Sequence, residues 1–177
     1  MRLNRLFVTA IMVSLFAACT GKEKEGSSVE EEQGQGAMET KAVSATSLPA
    51  FALQDLQGNT VELTSLKGKK VFVNLWASWC PPCRREMPSI QKLYQSVDTS
   101  KVSFVMLSLD DSFSKAKDYV AEQQLRLPVY YPAGQLPSLF NVNGIPATFI
   151  FDENGELMKK IEGSDNYDTE QYRQLIQ

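Results

Sequence analysis

Hydrophobic positions in this chain fall into three regimes. From Leu6 to Ala18 they run almost unbroken, from Thr20 to about Thr46 they nearly vanish, and from Ser47 onward they come in short bursts between turn residues. Among the bursts, Lys70-Val71-Phe72-Val73-Asn74-Leu75-Trp76 is apolar, β-branched and aromatic and is bounded by Gly68, which predicts a buried central strand. Val102 to Leu109 and Ala147 to Phe151 predict two more. Between the first two, Met87, Ile90, Leu93 and Tyr94 recur at three- and four-residue spacing, which predicts a helix from Pro81 to about Val97. Pro81 and Pro82 fall in its first turn, where a missing N–H costs little.

The remaining bursts complete an alternating order. Ala50 to Leu53 and Thr60 to Leu63 read as short strands joined by turn chemistry in Asp55-Leu56-Gln57-Gly58-Asn59. Asp110, Asp111 or Ser112 is expected to cap a helix to about Gln124, with Phe113, Ala116, Val120 and Ala121 inward. Pro128 to Tyr131 is a short extended stretch, and Leu136 to Phe140 a helical turn. Glu153-Asn154-Gly155 makes a hairpin into Glu156 to Ile161. Asp168 is expected to cap a last helix with Tyr172, Leu175 and Ile176 inward. The expected product is an α/β domain, a central mixed sheet flanked by helices on both faces, with an N-terminal β-hairpin extension.

At the junction of the first long strand and the first helix stands Trp79-Cys80-Pro81-Pro82-Cys83. Cys80 then lies at a helix N-terminus, facing free N–H groups and the positive end of the helix dipole, which lowers a thiol pKa. Cys83 lies one turn deeper. This predicts a redox-active Cys80–Cys83 disulfide, with Cys80 as attacking nucleophile and Cys83 as resolving thiol. A purely structural disulfide is a poor staple at this spacing, because loop closure gives only roughly 2 kcal/mol for so short a ring, against nearly 5 for a hundred-residue loop. A zinc site needs two more Cys or His ligands, and the chain has no histidine and 3 cysteines in all. No metal or organic cofactor is expected.

The ends of the chain carry a different message. Arg2 and Arg5 followed by the apolar run make residues 1–18 a signal peptide, since the run is short of the roughly 20 residues of a membrane span. Phe16-Ala17-Ala18-Cys19 resembles a bacterial lipobox, so Cys19 is the expected lipidation site and accounts for the odd cysteine. Residues 19–46, rich in Gly, Ser, Glu, Gln and Lys, cannot bury enough surface to order themselves and read as a tether with a reach on the order of 30 Å. Residues 47–177 are long enough for one domain. The expected location is extracytoplasmic, membrane-anchored on the periplasmic face or cell surface. The formal charge is −3, and becomes −5 once residues 1–18, with two arginines and no acid, are removed. That balance argues against nucleic acid as a partner, and nothing signals more than a monomer.

Residues 48–177 are similar to the thioredoxin-fold domains of the TlpA/ResA-like type, the membrane-tethered thiol–disulfide oxidoreductases of bacteria. The resemblance rests on Phe51-Ala52-Leu53-Gln54-Asp55 with Gly58, Leu66-Lys67-Gly68-Lys69, and the specific run from Asn74 through Cys80 and Cys83 to Pro88. Ser108-Leu109-Asp110-Asp111 and Gly144-Ile145-Pro146-Ala147-Thr148 complete it. It implies a cis Ile145–Pro146 bond beside the cysteines, with the Ile145 backbone pairing with an extended substrate segment. Trp79, Pro81, Ile145 and Pro146 are thus the expected substrate-binding positions. It implies that Glu86 manages protons at the cysteine pair, and places Asn74 where thioredoxins proper carry a buried acid.

The implied reaction is exchange with disulfide-bearing exported proteins, cytochrome c maturation being one such setting, with electrons from a membrane thiol donor. Neither Pro81 nor Pro82 has an N–H for the Cys80 sulfur, so moderate thiolate stabilisation and a reducing pair are expected. Three other readings stand beside this one. A thiol peroxidase of the peroxiredoxin kind would need a threonine-bearing pocket ahead of a single reactive cysteine, which Trp79-Cys80 lacks. A copper-binding module would use the soft thiolates without the usual histidine. A non-catalytic binding module would use the docking surface alone.

Overall fold

The computed structural model describes residues 46–177, so the signal segment, Cys19 and nearly all of the tether lie outside the described residues. Seven strands form one sheet: β1 (Ala52–Asp55), β2 (Thr60–Glu62), β3 (Lys70–Trp76), β4 (Val102–Ser108), β5 (Val129–Pro132), β6 (Ala147–Phe151) and β7 (Leu157–Glu162). Three α-helices accompany them: α1 (Pro81–Ser96), α2 (Phe113–Glu122) and α3 (Glu170–Ile176). The strand order is β2-β1-β5-β4-β3-β6-β7. β3 and β5 run parallel to β4, while β6 pairs antiparallel with β3, β7 with β6, and β1 with β5 and β2. This is the mixed, thioredoxin-like sheet expected, with the β1–β2 hairpin extending one edge.

Residues alternate between the two faces along each central strand, as the two-residue period of a strand requires. Phe72 and Trp76 of β3, Phe104 and Met106 of β4 and Ile150 of β6 share one core with Met87, Ile90 and Leu93 of α1, Ala116 and Val120 of α2, and Tyr172 and Ile176 of α3. Val71, Val73 and Leu75 face the other way, with Val105, Leu107, Phe149 and Phe151.

All three α-helices therefore pack on one face, so the helices expected on both faces are α-helices on one side and short 3-10 helices on the other. The reason is topological. The β3–α1–β4 and β4–α2–β5 crossovers step in the same direction across the sheet. Right-handed crossovers that step the same way put their helices on the same side. The second face is covered by Leu48 and Phe51 of the leading segment and by two short 3-10 turns, Leu63–Leu66 and Ser138–Phe140.

Local chemistry sets the element ends. Asp152 accepts the N–H groups of Asn154 and Glu156 at 2.9 and 2.8 Å and shapes the β6–β7 turn. Gly155 closes that turn at φ +84°, where a Cβ would lie 3.2 Å from the Leu48 Cβ. The leading segment is stitched to the same hairpin by Leu48 N–H to Gly155 O at 2.6 Å and Leu157 N–H to Thr46 O at 2.8 Å.

Three expectations need correction. Ser112 sits at the α2 N-cap without a side-chain cap bond, because the Asp110 carboxylate turns back toward β3 and Asp111 pairs with Lys115 four residues on. Within α2, Ala121 is exposed and Tyr119 is buried in its place, where its ring meets Trp76 with centroids 5.5 Å apart. At α3 the cap is Thr169, whose hydroxyl accepts the Tyr172 N–H, while Asp168 pairs with Lys92 and Arg173.

Ile90 is fully buried between α1 and the sheet. Ile90→Ala is expected to lower unfolding free energy by about 2–5 kcal/mol, whereas Ala121→Ser at the exposed position should change it by less than about 0.5 kcal/mol. Urea unfolding of the oxidised protein measures both.

Candidate active site

The site is built at the C-terminal end of β3. The strand ends at Trp76, a turn follows, and Cys80 becomes the N-cap of α1 with Pro81 and Pro82 in the first turn. The Asp110 carboxylate holds this turn. It accepts the Ser78 N–H at 3.1 and 3.2 Å, the Ser78 hydroxyl at 2.7 Å and the Ser108 hydroxyl at 2.8 Å. Leu109 N–H donates to Trp76 O at 2.7 Å alongside. An exposed Asp would contribute little here, but this one is 4% exposed, and buried charge-assisted bonds are the strong ones.

Cys80 and Cys83 are joined by a disulfide. Cys80 is 3% exposed and Cys83 not at all, so only Cys80 has a path to a partner. The Cys80 sulfur accepts the Cys83 N–H at 3.3 Å and lies 3.7 Å from the Ile145 carbonyl oxygen. The prolines remove two helix donors, as the sequence implied, but the third amide is that of Cys83 itself. The Ile145–Pro146 peptide bond is cis. Trp79 is 62% exposed next to the sulfurs. Arg84 is exposed and sits over the Tyr119 ring, 5.4 Å from its centroid, along a groove of about 300 Å³ that Pro81 also lines.

Glu86 stands one turn along α1 from Cys83, on the same helix face, and is 2% exposed. Its Oε1 accepts from the Asn74 side-chain amide at 2.8 Å, and its Oε2 from the Asp165 backbone N–H at 3.2 Å. Burial dominates over these bonds and pushes the Glu86 pKa up to about 7. The same amide nitrogen of Asn74 donates to Thr148 Oγ1 at 2.9 Å, and Thr148 shares a 2.6 Å bond with the Tyr167 hydroxyl. Burial raises the pKa of Tyr167 well above the usual phenol range. Tyr172 donates to the Asp165 carboxylate. The sequence pointed to Cys80, Cys83, Glu86, Trp79, Pro81, Ile145 and Pro146, and the structure brings these together. It also adds Asp110, Thr148, Asp165 and Tyr167, which sequence alone did not assign to the site.

A dithiol at the strand-to-helix turn of a thioredoxin-like sheet is the arrangement of the protein-disulfide oxidoreductases, and this chain is one of them. The sequence model of the Redoxin family matches residues 43–176. Thiol-disulfide oxidoreductase ResA of Bacillus cereus is 31% identical over 164 residues, covering 92% of this chain and 91% of the relative. ResA of Halalkalibacterium halodurans is 33% identical over 110 residues, covering 62% of each. Among solved structures, a thiol:disulfide interchange protein of the thioredoxin family from Chlorobium tepidum TLS superposes with TM-score 0.64 at 28% identity, over 74% of this chain and 95% of that one. StoA from Bacillus subtilis superposes with TM-score 0.59 at 26% identity, over 68% and 95%. The chain belongs to the Redoxin family, among its ResA-like thiol–disulfide oxidoreductases.

The raised Glu86 pKa makes stability depend on pH. The native state holds this proton up to about pH 7, while the unfolded chain releases it near the ordinary value of 4.5. No stability is lost on this account below the unfolded value, and the loss grows as pH rises through that window, reaching on the order of 3 kcal/mol. Glu86→Gln should therefore gain on the wild type between about pH 5 and pH 8. Urea midpoints of the two oxidised proteins at both pH values check it, and parallel curves would contradict the assignment.

Proposed function

We propose that this chain is a membrane-tethered, extracytoplasmic reductase of disulfides in exported partner proteins, oxidised cysteine pairs of apocytochromes awaiting haem among them. The observation that carries this reading is the asymmetry of the pair: Cys80 keeps 3% exposure beside exposed Trp79, while Cys83 is fully buried on the helix face that carries Glu86, a carboxyl group poised near neutrality.

The chemistry follows from that asymmetry. In the reduced chain the Cys80 thiolate attacks one sulfur of the partner's disulfide, and the other partner sulfur leaves as a thiolate. The partner segment pairs with the Ile145 backbone, beside the Cys80 sulfur, and packs against Trp79, Pro81 and Pro146. Cys83 then passes its proton to the Glu86 carboxylate, whose pKa near 7 suits a base at neutral pH. The Cys83 thiolate attacks the Cys80 sulfur, closing the internal disulfide and expelling the second partner thiolate. The partner gains two electrons and the chain loses two. A membrane thiol carrier returns them by the same exchange in reverse.

One amide, that of Cys83, reaches the Cys80 sulfur. That is modest stabilisation for a thiolate and supports a reducing pair rather than an oxidising one. The tether reading rests on Cys19 and the apolar run before it. Lipidation at Cys19 would hold the domain at the membrane with a reach set by residues 19–46.

The reduction potential of the Cys80–Cys83 pair, followed by tryptophan fluorescence in thiol buffers, is expected at or below about −230 mV, on the thioredoxin side of the scale. A value near −120 mV, that of a strong oxidant, would make the chain a disulfide donor. Cys83→Ser should accumulate mixed disulfides through Cys80 in cells, whereas Cys80→Ser should not. Cys19→Ser should shift the protein from the membrane pellet to the soluble fraction, and retention in the pellet would refute the lipid anchor.

A further inference from the structure

Three buried polar residues interrupt the apolar helix-facing rows of the central strands: Ser108 of β4, which is bonded to Asp110, and two that meet each other. Asn74 of β3 and Thr148 of β6 are directly paired across the antiparallel ladder, and both are fully buried. A valine at 148 would fill nearly the same space in an otherwise apolar row, so the Thr148 hydroxyl is kept against the desolvation penalty of a buried polar group. Its contacts account for that. Thr148 Oγ1 lies 2.9 Å from Asn74 Nδ2 and 2.6 Å from the Tyr167 hydroxyl. The Tyr167 ring is fixed edge-on to Phe72 and against Tyr172, with centroids 5.3 and 4.8 Å apart, so the hydroxyl cannot swing away.

The Asn74 amide nitrogen serves both Thr148 and Glu86, while its Oδ1 is buried without a hydrogen-bond partner among the described residues. Glu86 alone does not fix this orientation. An ionised Glu86 calls for the amide N–H, but a protonated Glu86 is served equally by the amide oxygen. Thr148 breaks the tie if its own hydroxyl hydrogen goes to Tyr167, because its free lone pair then accepts only the Asn74 N–H.

We propose that Thr148, held by Tyr167, is a positioning residue that keeps the Asn74 amide turned with its N–H toward Glu86, so that the buried carboxyl stays able to release its proton and act again. This rests on the reading of Glu86 as the base for Cys83. Other groups also face Glu86: Ser164 and the Asp165 carboxylate from the loop after β7, Tyr167 from the same loop, and Tyr172 from α3, while Cys83 lies one turn back on the same face of α1. Asp165 opposes ionisation by like charge and Ser164 favours it by a hydrogen bond. Thr148 acts on neither, so its effect is separable from theirs.

The test is a carboxyl-carbon NMR titration of Glu86 in the oxidised protein, for wild type, Thr148→Val and Thr148→Ser. With Thr148→Val the amide is free to turn its oxygen to the protonated carboxyl, and the Glu86 midpoint should rise by about one pH unit. Thr148→Ser, which keeps the hydroxyl, should restore the wild-type midpoint. An unchanged midpoint in Thr148→Val, or an equal shift in Thr148→Ser, would overturn the proposal, since a packing effect would not distinguish hydroxyl from methyl in this way. Should Thr148→Val fail to fold, Tyr167→Phe takes its place, with a rise supporting the proposal and no change overturning it. The titration needs no partner protein. An oxidising potential together with the expected shift would remove the reductase reading and leave the positioning role standing, and the converse would do the opposite.

Discussion

The Asp110 carboxylate, drawn back onto the turn between β3 and α1, is the interaction on which the site depends. Ser78 donates to it through both backbone and side chain, and Ser108 donates from the neighbouring strand. The three residues between Trp76 and Cys80 are thus tied to β4. Without that tie, a short turn leading into a helix that begins with two prolines would have few backbone bonds to define its course. With it, the α1 N-terminus is aimed at the surface and the Cys80 sulfur comes to rest 3.7 Å from the Ile145 carbonyl on a different part of the chain.

A second constraint is electrostatic. Glu86 is nearly as buried as Cys83 one turn away, yet its partners are the Asn74 side-chain amide, the Asp165 backbone N–H and Ser164 rather than a cation. Burial therefore wins and the carboxyl sits near neutrality. A lysine or arginine in the place of Asn74 would stabilise the carboxylate outright and leave it a poor proton acceptor.

Much of this was legible in the residues. The β3 run from Lys70 to Trp76, the α1 apolar stripe and the β6 run gave strand and helix at the observed places because each is long, apolar and strongly periodic. The cysteine pair and its flanks identified the chemistry by spacing alone. What escaped was tertiary. Asp110 looked like a helix cap because an acid before an amphipathic run usually is one, and only the fold reveals that Ser78 is nearer. The placement of every α-helix on one side followed from strand order, which no local pattern encodes. Asn74 and Thr148 were each visible as polar breaks in apolar strands, but their pairing required the β3–β6 register.

The leading segment gives the domain a direction. β6 runs antiparallel to β3, with Ala147 beside Leu75 at the disulfide end and Phe151 beside Val71 at the other. The β6–β7 turn, where Leu48 is bonded to Gly155 and Thr46 to Leu157, therefore lies at the far end of the sheet from Cys80. Some five strand residues separate the two ends, on the order of 17 Å. The chain thus enters the folded body at one pole and presents its sulfur at the other. Force applied at Thr46 is therefore borne by backbone bonds to the β6–β7 hairpin rather than by the turn that carries the disulfide.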